Sequence, residues 1–241
     1  MSAPDERALT AAQASAVEAV RTRLFALCEE SYRDFQANLM PTVEKERILG
    51  IRTPLLRRLA RELGGSETAA HFLTVLPHGY YEEDNLHAFL IEGERDFSRA
   101  LALTEAFLPH IDNWATCDSF SPPVFRAHPA ELLPRAMSWM DSDKPYIIRY
   151  GIGTLMRHHL SEHFSPELAA RVAAVRHGHY YVRMMVAWYF ATALCKQPEA
   201  TMAVLRSHAL DTRTHNKAIQ KARESRCITA EMKEELRRYK R

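Results

Sequence analysis

The sequence predicts an all-α protein, a curved right-handed stack of helix pairs forming a single domain over residues 1–241. Three observations predict it. Apolar residues recur at helical spacing, with no convincing period-two run that would mark a strand. Prolines at 41, 54, 77, 109, 122, 129, 145, 166 and 198 cut the chain into pieces of helical length. The segment Tyr146-Ile147-Ile148-Arg149 is echoed 34 residues later by Tyr180-Tyr181-Val182-Arg183, a period that suits stacked helix pairs.

Taken in chain order, residues 1–12 are expected as a frayed tail. Thr53 caps a helix with Pro54 in its first turn; Leu55, Leu56, Leu59, Ala60 and Leu63 share one face, and Gly64-Gly65 ends it. Asp112 or Asn113 caps a helix that begins at Trp114. Pro145 and Gly178 precede the two echoed helices, and Ser165-Pro166-Glu167 opens another between them. Met184 to Cys195, flanked by Arg183 and Lys196, reads as a buried helix, being shorter than the roughly 18 apolar residues a membrane span needs. Thr229 caps the last helix. The consensus of tetratricopeptide repeats is absent, and looser HEAT-like pairs fit, with equivalent helices of successive repeats lining one concave surface.

Composition bounds the function. Hydrophobic residues make up 46%, enough for a sizeable core, and only 8 of 241 residues are Gly. The net charge of +2 by itself points to no partner. Its distribution does: Arg206 to Arg241 holds 11 Lys or Arg against 5 Asp or Glu, a local excess of six positive charges. A basic end on a neutral body attracts phosphate, although a charge-laced solvated helix pair has the same composition. The four cysteines (Cys28, Cys117, Cys195, Cys227) form no C-x-x-C, so a disulfide framework is not expected and a cytoplasmic protein is. The first residues lack the apolar core of a signal peptide. A monomer without cofactor is expected.

Asp112 to Asp118 carries the clearest chemistry. Trp114 and Asp118 are i and i+4, about a turn apart on one helix face. An aromatic face beside a carboxylate suits a cation; a core Trp with a locally bonded Asp is the competing reading. Arg149, in the apolar run Tyr-Ile-Ile-Arg-Tyr, needs a partner: an ion pair with Asp118 or a phosphate. Trp188 follows it by 39 residues; read alone it is a core tryptophan, whereas in a stack of helix pairs these separations can place Asp118, Arg149 and Trp188 on neighbouring rungs of one face. Lys217 and Lys221 share a helix face opposite Ala218, Ile219 and Ala222, within reach of a nucleic-acid backbone. His159 and His163 are i and i+4, but no H-E-x-x-H or cysteine pair completes a metal set, so no metal is expected. No phosphate-binding loop, dinucleotide-binding glycine motif or G-x-S-x-G elbow is present.

These segments together resemble the DNA alkylation repair family, the AlkD-like glycosylases of HEAT-like repeats. The resemblance runs from about Tyr32 onward. Its carriers are Gly50-Ile51-Arg52-Thr53-Pro54-Leu55-Leu56-Arg57, Trp114-x-x-x-Asp118, Arg149 and Trp188. It implies a concave basic face that holds duplex DNA, and removal of N3- or N7-alkylated purines with the lesion left in the stack. Trp114 and Trp188 would be aromatic walls, Asp118 the catalytic carboxylate and Arg149 a DNA-backbone contact. Arg57, Arg183, Lys217 and Lys221 are expected as further phosphate contacts. The stretch from Phe35 to Gly50, interrupted by Pro41 and carrying Glu44 and Glu46, resembles the branch in which a short DNA-contacting helix is reduced. Two alternatives stand beside excision: a non-catalytic DNA- or RNA-binding relative, and a protein–protein scaffold.

Overall fold

The computed structural model describes residues 9–241, and among them fourteen α-helices and no strand. The described chain packs as two compact units, one ending at Val124 and the other running from Phe125 to Arg241. The first holds α1 (Ala11–Phe25), α2 (Glu30–Leu39), α3 (Thr53–Leu63), α4 (Glu67–Phe72), α5 (Tyr81–Glu92), α6 (Phe97–Phe107) and α7 (Trp114–Ser119). The second holds α8 (Pro129–Met140), α9 (Pro145–His158), α10 (Pro166–Ala173), α11 (Tyr180–Lys196), α12 (Pro198–Arg206), α13 (Thr212–Glu224) and α14 (Ala230–Arg238). Residues 1–8 of the expected tail lie outside the described residues, and Ala11 and Ala12 already belong to α1, which Thr10 and Gln13 close with a capping box.

The prolines act as read. Pro54, Pro129, Pro145, Pro166 and Pro198 all stand in the first turn of a helix, where the missing N–H leaves nothing unpaired. Thr53 is not the cap of α3, however. That position is Arg52, and Thr53 is already helical. Asn113 and Thr229 do cap α7 and α14 through their side chains.

In the first unit α5 is the central helix: α3, α6 and α7 pack against it, while α1 packs on α4. Every residue from Tyr81 to Ile91 is buried, including Glu82, Glu83, Asp84, Asn85 and His87. A helix buried on all faces cannot show an amphipathic stripe. Its polar groups need internal partners, and they have them. The Glu82 carboxylate accepts the N–H groups of Leu49 and Gly50 at 2.8 Å each and of Ile51 at 3.2 Å. Glu83 accepts from Arg21 Nε at 2.7 Å and from the N–H groups of Gly79 and Tyr80. Apolar anchors Phe72, Leu86, Phe107 and Phe120 are fully buried, each contributing on the order of 2–3 kcal/mol of transfer free energy.

In the second unit α9, α11 and α13 pack in a row, and α12 packs on both α10 and α11. The two echoed segments are the first turns of α9 and α11, so the 34-residue displacement carries one helix of the row onto the next. Gly151 is where α9 meets α8 most closely; a Cβ there would lie 2.8 Å from the Ala136 carbonyl oxygen. Met184 to Cys195 lies within α11, whose interior is largely buried, as its flanks suggested. Among the described residues no helix is long and apolar enough to cross a membrane.

One expectation is overturned here. Cys195 and Cys227 are joined in a disulfide, with Cα atoms 5.8 Å apart. Their separation of 32 residues is close to the repeat displacement, so the chain returns beside itself after one helix pair. Linear spacing without a C-x-x-C carried no sign of this proximity.

Candidate functional site

The first unit positions Trp114 and Asp118. Asn113 accepts the Thr116 N–H at 2.8 Å, and the Thr116 hydroxyl bonds to Asn85 at 3.0 Å, so the start of α7 is pinned to the buried α5. Trp114 and Asp118 then lie one turn apart, both half-buried, as the i and i+4 spacing requires. The indole N–H of Trp114 donates to the Leu39 carbonyl at 3.3 Å. The ring packs against a cluster of Met40, Val43, Ile48 and Tyr81. The stretch from Phe35 to Gly50, singled out in the sequence for its interruption, is therefore the backing of this tryptophan.

Arg47, from the same stretch, bridges two carboxylates. It reaches Asp112 at 2.5 Å and Asp84 at 3.4 Å, and also donates to the Gly79 carbonyl. Burial pushes the Asp84 carboxyl well above the usual carboxylate range, and the nearby Asp112 pushes it further. Burial likewise raises Glu82, against the pull of its three N–H donors. The Gly50 motif has its explanation in this cradle. Gly50 adopts φ +83°, and a Cβ on it would lie 2.4 Å from the Glu29 carbonyl oxygen. Neither Arg47 nor Glu82 was singled out from the sequence. Nothing within the run Tyr81-Glu-Glu-Asp84 marks it as buried; only the distant donors facing it do.

Arg57 lies beside the same helix. Its guanidinium sits 3.9 Å from the centre of the Phe89 ring, pairs with Glu92 and donates to the Ser119 carbonyl at 3.1 Å. Much of its hydrogen-bonding capacity is spent holding α3, α5 and α7 together.

The second unit carries the remaining residues. Arg149 is only 5% exposed; its Nη1 donates to the Tyr181 carbonyl at 2.5 Å, tying α9 to the first turn of α11. Arg183 is half-buried and donates to the Gly178 carbonyl at 2.8 Å. Trp188 is 38% exposed, unusual for so large an apolar group on a helix this buried. It shares a cleft of about 630 Å³ with Lys221 of α13. Lys217, one turn before Lys221, lines a separate basic cleft with Arg213, Arg223 and Lys240. Ala218, Ile219 and Ala222 are buried on the opposite side of α13, as the pattern predicted.

Among the described residues no group of three His, Cys, Asp or Glu side chains is placed to hold a metal ion. His159 Nε2 donates to the Pro129 carbonyl at 2.9 Å, a local bond within its unit.

The model of the DNA alkylation repair enzyme family matches residues 20–224. No curated protein matches the chain.

Proposed function

This chain belongs to the DNA alkylation repair enzyme family, and from that premise we propose that it binds duplex DNA and hydrolyses the N-glycosyl bond of N3- or N7-alkylated purines. Its role is DNA repair; the reaction, the DNA-contacting residues and the identity of the helix pairs as HEAT-like repeats are our reading. The observation that carries it is the pairing of Trp114 and Asp118 on one turn of a helix pinned from behind.

The chemistry follows from charge. An alkylated purine carries a formal positive charge and needs little acid catalysis to leave. As the bond from C1′ to the ring nitrogen breaks, its electron pair neutralises the purine and positive charge grows on the sugar. The Asp118 carboxylate stabilises that charge, with the face of Trp114, one turn away, beside the lesion; Trp188 is the second aromatic face that the family resemblance implies. A water oxygen then bonds to C1′ and its proton passes to Asp118 and on to solvent. Arg57, Arg183, Lys217 and Lys221 hold phosphates. Arg149, buried and bonded to the Tyr181 carbonyl, positions the first turn of α11. The reading is completed by a monomeric, cytoplasmic protein that uses no cofactor.

A second reading is favoured by one feature. The indole N–H of Trp114 already has the Leu39 carbonyl, and its ring rests on an apolar cluster. A relative that binds nucleic acid without excision needs no more than that. The deciding test is incubation with a duplex carrying one 7-methylguanine. Free 7-methylguanine and an abasic site are expected; duplex binding without release would establish the non-catalytic reading.

A further inference from the structure

We propose that Cys195 and Cys227 form a reversible thiol–disulfide site that sets the shape of the cleft holding Trp188 and Lys221. The cleft runs along α11 through Trp188, Thr192 and Cys195, and across to Lys221, Ser225 and Cys227. Trp188 and Cys195 are seven residues apart on α11, about two turns, and so share a face. Cys227 lies in the turn after α13. The bond therefore ties the α13–α14 connection to the wall that carries Trp188.

Three observations mark it as exchangeable rather than a buried staple. Cys227 is exposed and Cys195 half-buried, so a small thiol reaches the bond from the cleft. The Ser225 hydroxyl lies 3.0 Å from the Cys227 sulfur and 3.8 Å from the Cys195 sulfur, a hydrogen-bond partner for whichever thiolate is released. Lys221 and Lys196 line the same cleft against the single carboxylate of Glu224, Lys196 with its ammonium 2.9 Å from the Ser161 hydroxyl, and a net positive lining favours a thiolate. The Cα separation of 5.8 Å is within the ordinary disulfide range, so forming the bond needs no rearrangement of helices.

The step balances with a low-molecular-weight disulfide such as glutathione disulfide as oxidant. The Cys227 thiolate attacks one of its sulfurs and expels one glutathione thiolate, leaving a mixed disulfide on Cys227. The Cys195 thiolate attacks the Cys227 sulfur and expels the second. Two protein thiols are oxidised, one glutathione disulfide is reduced to two thiols, and the two protons pass to the leaving thiolates. Excess reduced glutathione runs the sequence backward. In a reducing compartment the pair is then a sensor, the usual role of such a bond there.

That the cleft serves DNA rests on the function proposed above; the thiol chemistry does not. The test uses the full chain in glutathione buffers of graded ratio, with free thiols counted by alkylation and mass measurement. Four thiols are expected in reduced glutathione and two, Cys28 and Cys117, after oxidation. Acrylamide quenching of the Trp188 emission, taken as the difference between wild type and Trp188→Phe, should change between the two states, and the change should vanish in Cys227→Ser. A bond that persists in excess reduced glutathione, one that never forms, or quenching unaffected by oxidation would each overturn the proposal. A short duplex titrated in both states separates the two readings. No binding in either state overturns the DNA function and leaves the thiol switch standing. Equal affinity in both states, with the quenching change present, overturns the switch's control of DNA.

Discussion

At the scale of single residues, two tryptophans and one carboxylate differ in what they are free to do. Trp188 presents over a third of its surface, whereas Trp114 is backed by an apolar cluster and bonded to Leu39. Replacing Trp114 therefore confounds stability with function. Asp118 gives the cleaner test. Asp118→Asn keeps the shape while removing the charge that the proposed reaction sets against the growing positive sugar. Losing one preorganised electrostatic partner typically costs about 10²–10³ in rate. Single-turnover release of 7-methylguanine should fall by that factor, with duplex affinity unchanged or slightly tighter because an anion has gone. A variant that excises at the wild-type rate would remove Asp118 from the site. Gly50 offers a residue-scale prediction about the fold. Alanine there meets both the positive φ and a backbone oxygen at 2.4 Å. Gly50→Ala should destabilise by at least about 2–3 kcal/mol in denaturant melts, the range for strained backbone with overpacking.

At the scale of elements, α5 shows how a polar sequence can form a core helix. Its four acidic residues are met by N–H groups and arginines from other segments, and His87 is met by His78, at 2.9 Å between ring nitrogens. His78 stacks on Phe72, and His87 stacks on Phe107. Burial pushes His78 down to about 4 and pushes His87 well below its ordinary value; each is lowered further by His110 and other nearby positive groups. A histidine kept neutral in the fold protonates first in the unfolded chain. Its contribution is therefore complete above about pH 6.5 and is lost as pH falls toward about 4. Glu82 and Asp84, with raised values, act in the opposite sense and gain stability as pH falls. Comparing wild type with His78→Phe at each pH cancels them, and the new ring keeps the stack on Phe72. The variant should be the less stable near neutral pH, having left His87 without its partner. The gap should narrow by up to about 3 kcal/mol between about pH 7 and about pH 4. A gap that stays constant with pH would show that His78 is charged in the fold.

At the scale of the whole molecule, a net charge of +2 conceals an excess of six positive charges after Leu205. Lys217 and its neighbours Arg213, Arg223 and Lys240 form no ion pair with an acidic side chain among the described residues, so their charge is available to phosphate. Duplex binding should then be weak, indifferent to sequence and steep in salt, losing roughly 0.9 log unit per tenfold salt for each phosphate neutralised. Lys217→Ala should lower affinity on every duplex and reduce the salt slope by about one. Titration by fluorescence anisotropy at several salt concentrations measures both; an affinity independent of salt would remove the basic face from the function.

The helices were legible in the sequence because their causes are local. A proline in the first turn, an Asn113 or Thr229 cap and a buried stripe such as Leu56, Leu59 and Leu63 act within a few residues of where they stand. The 34-residue echo and the four separated family segments were legible for the related reason that repeats leave a period. What only the tertiary structure decided are contacts made across 30 or more residues: Glu82 with the Gly50 loop, Arg47 with Asp112, Trp114 with Leu39, and Cys195 with Cys227. An acidic run or a lone thiol has no fixed meaning in a linear chain. Whether it is solvated, cradled or bonded depends on which distant group the fold brings beside it, and burial without that partner would cost several kcal/mol.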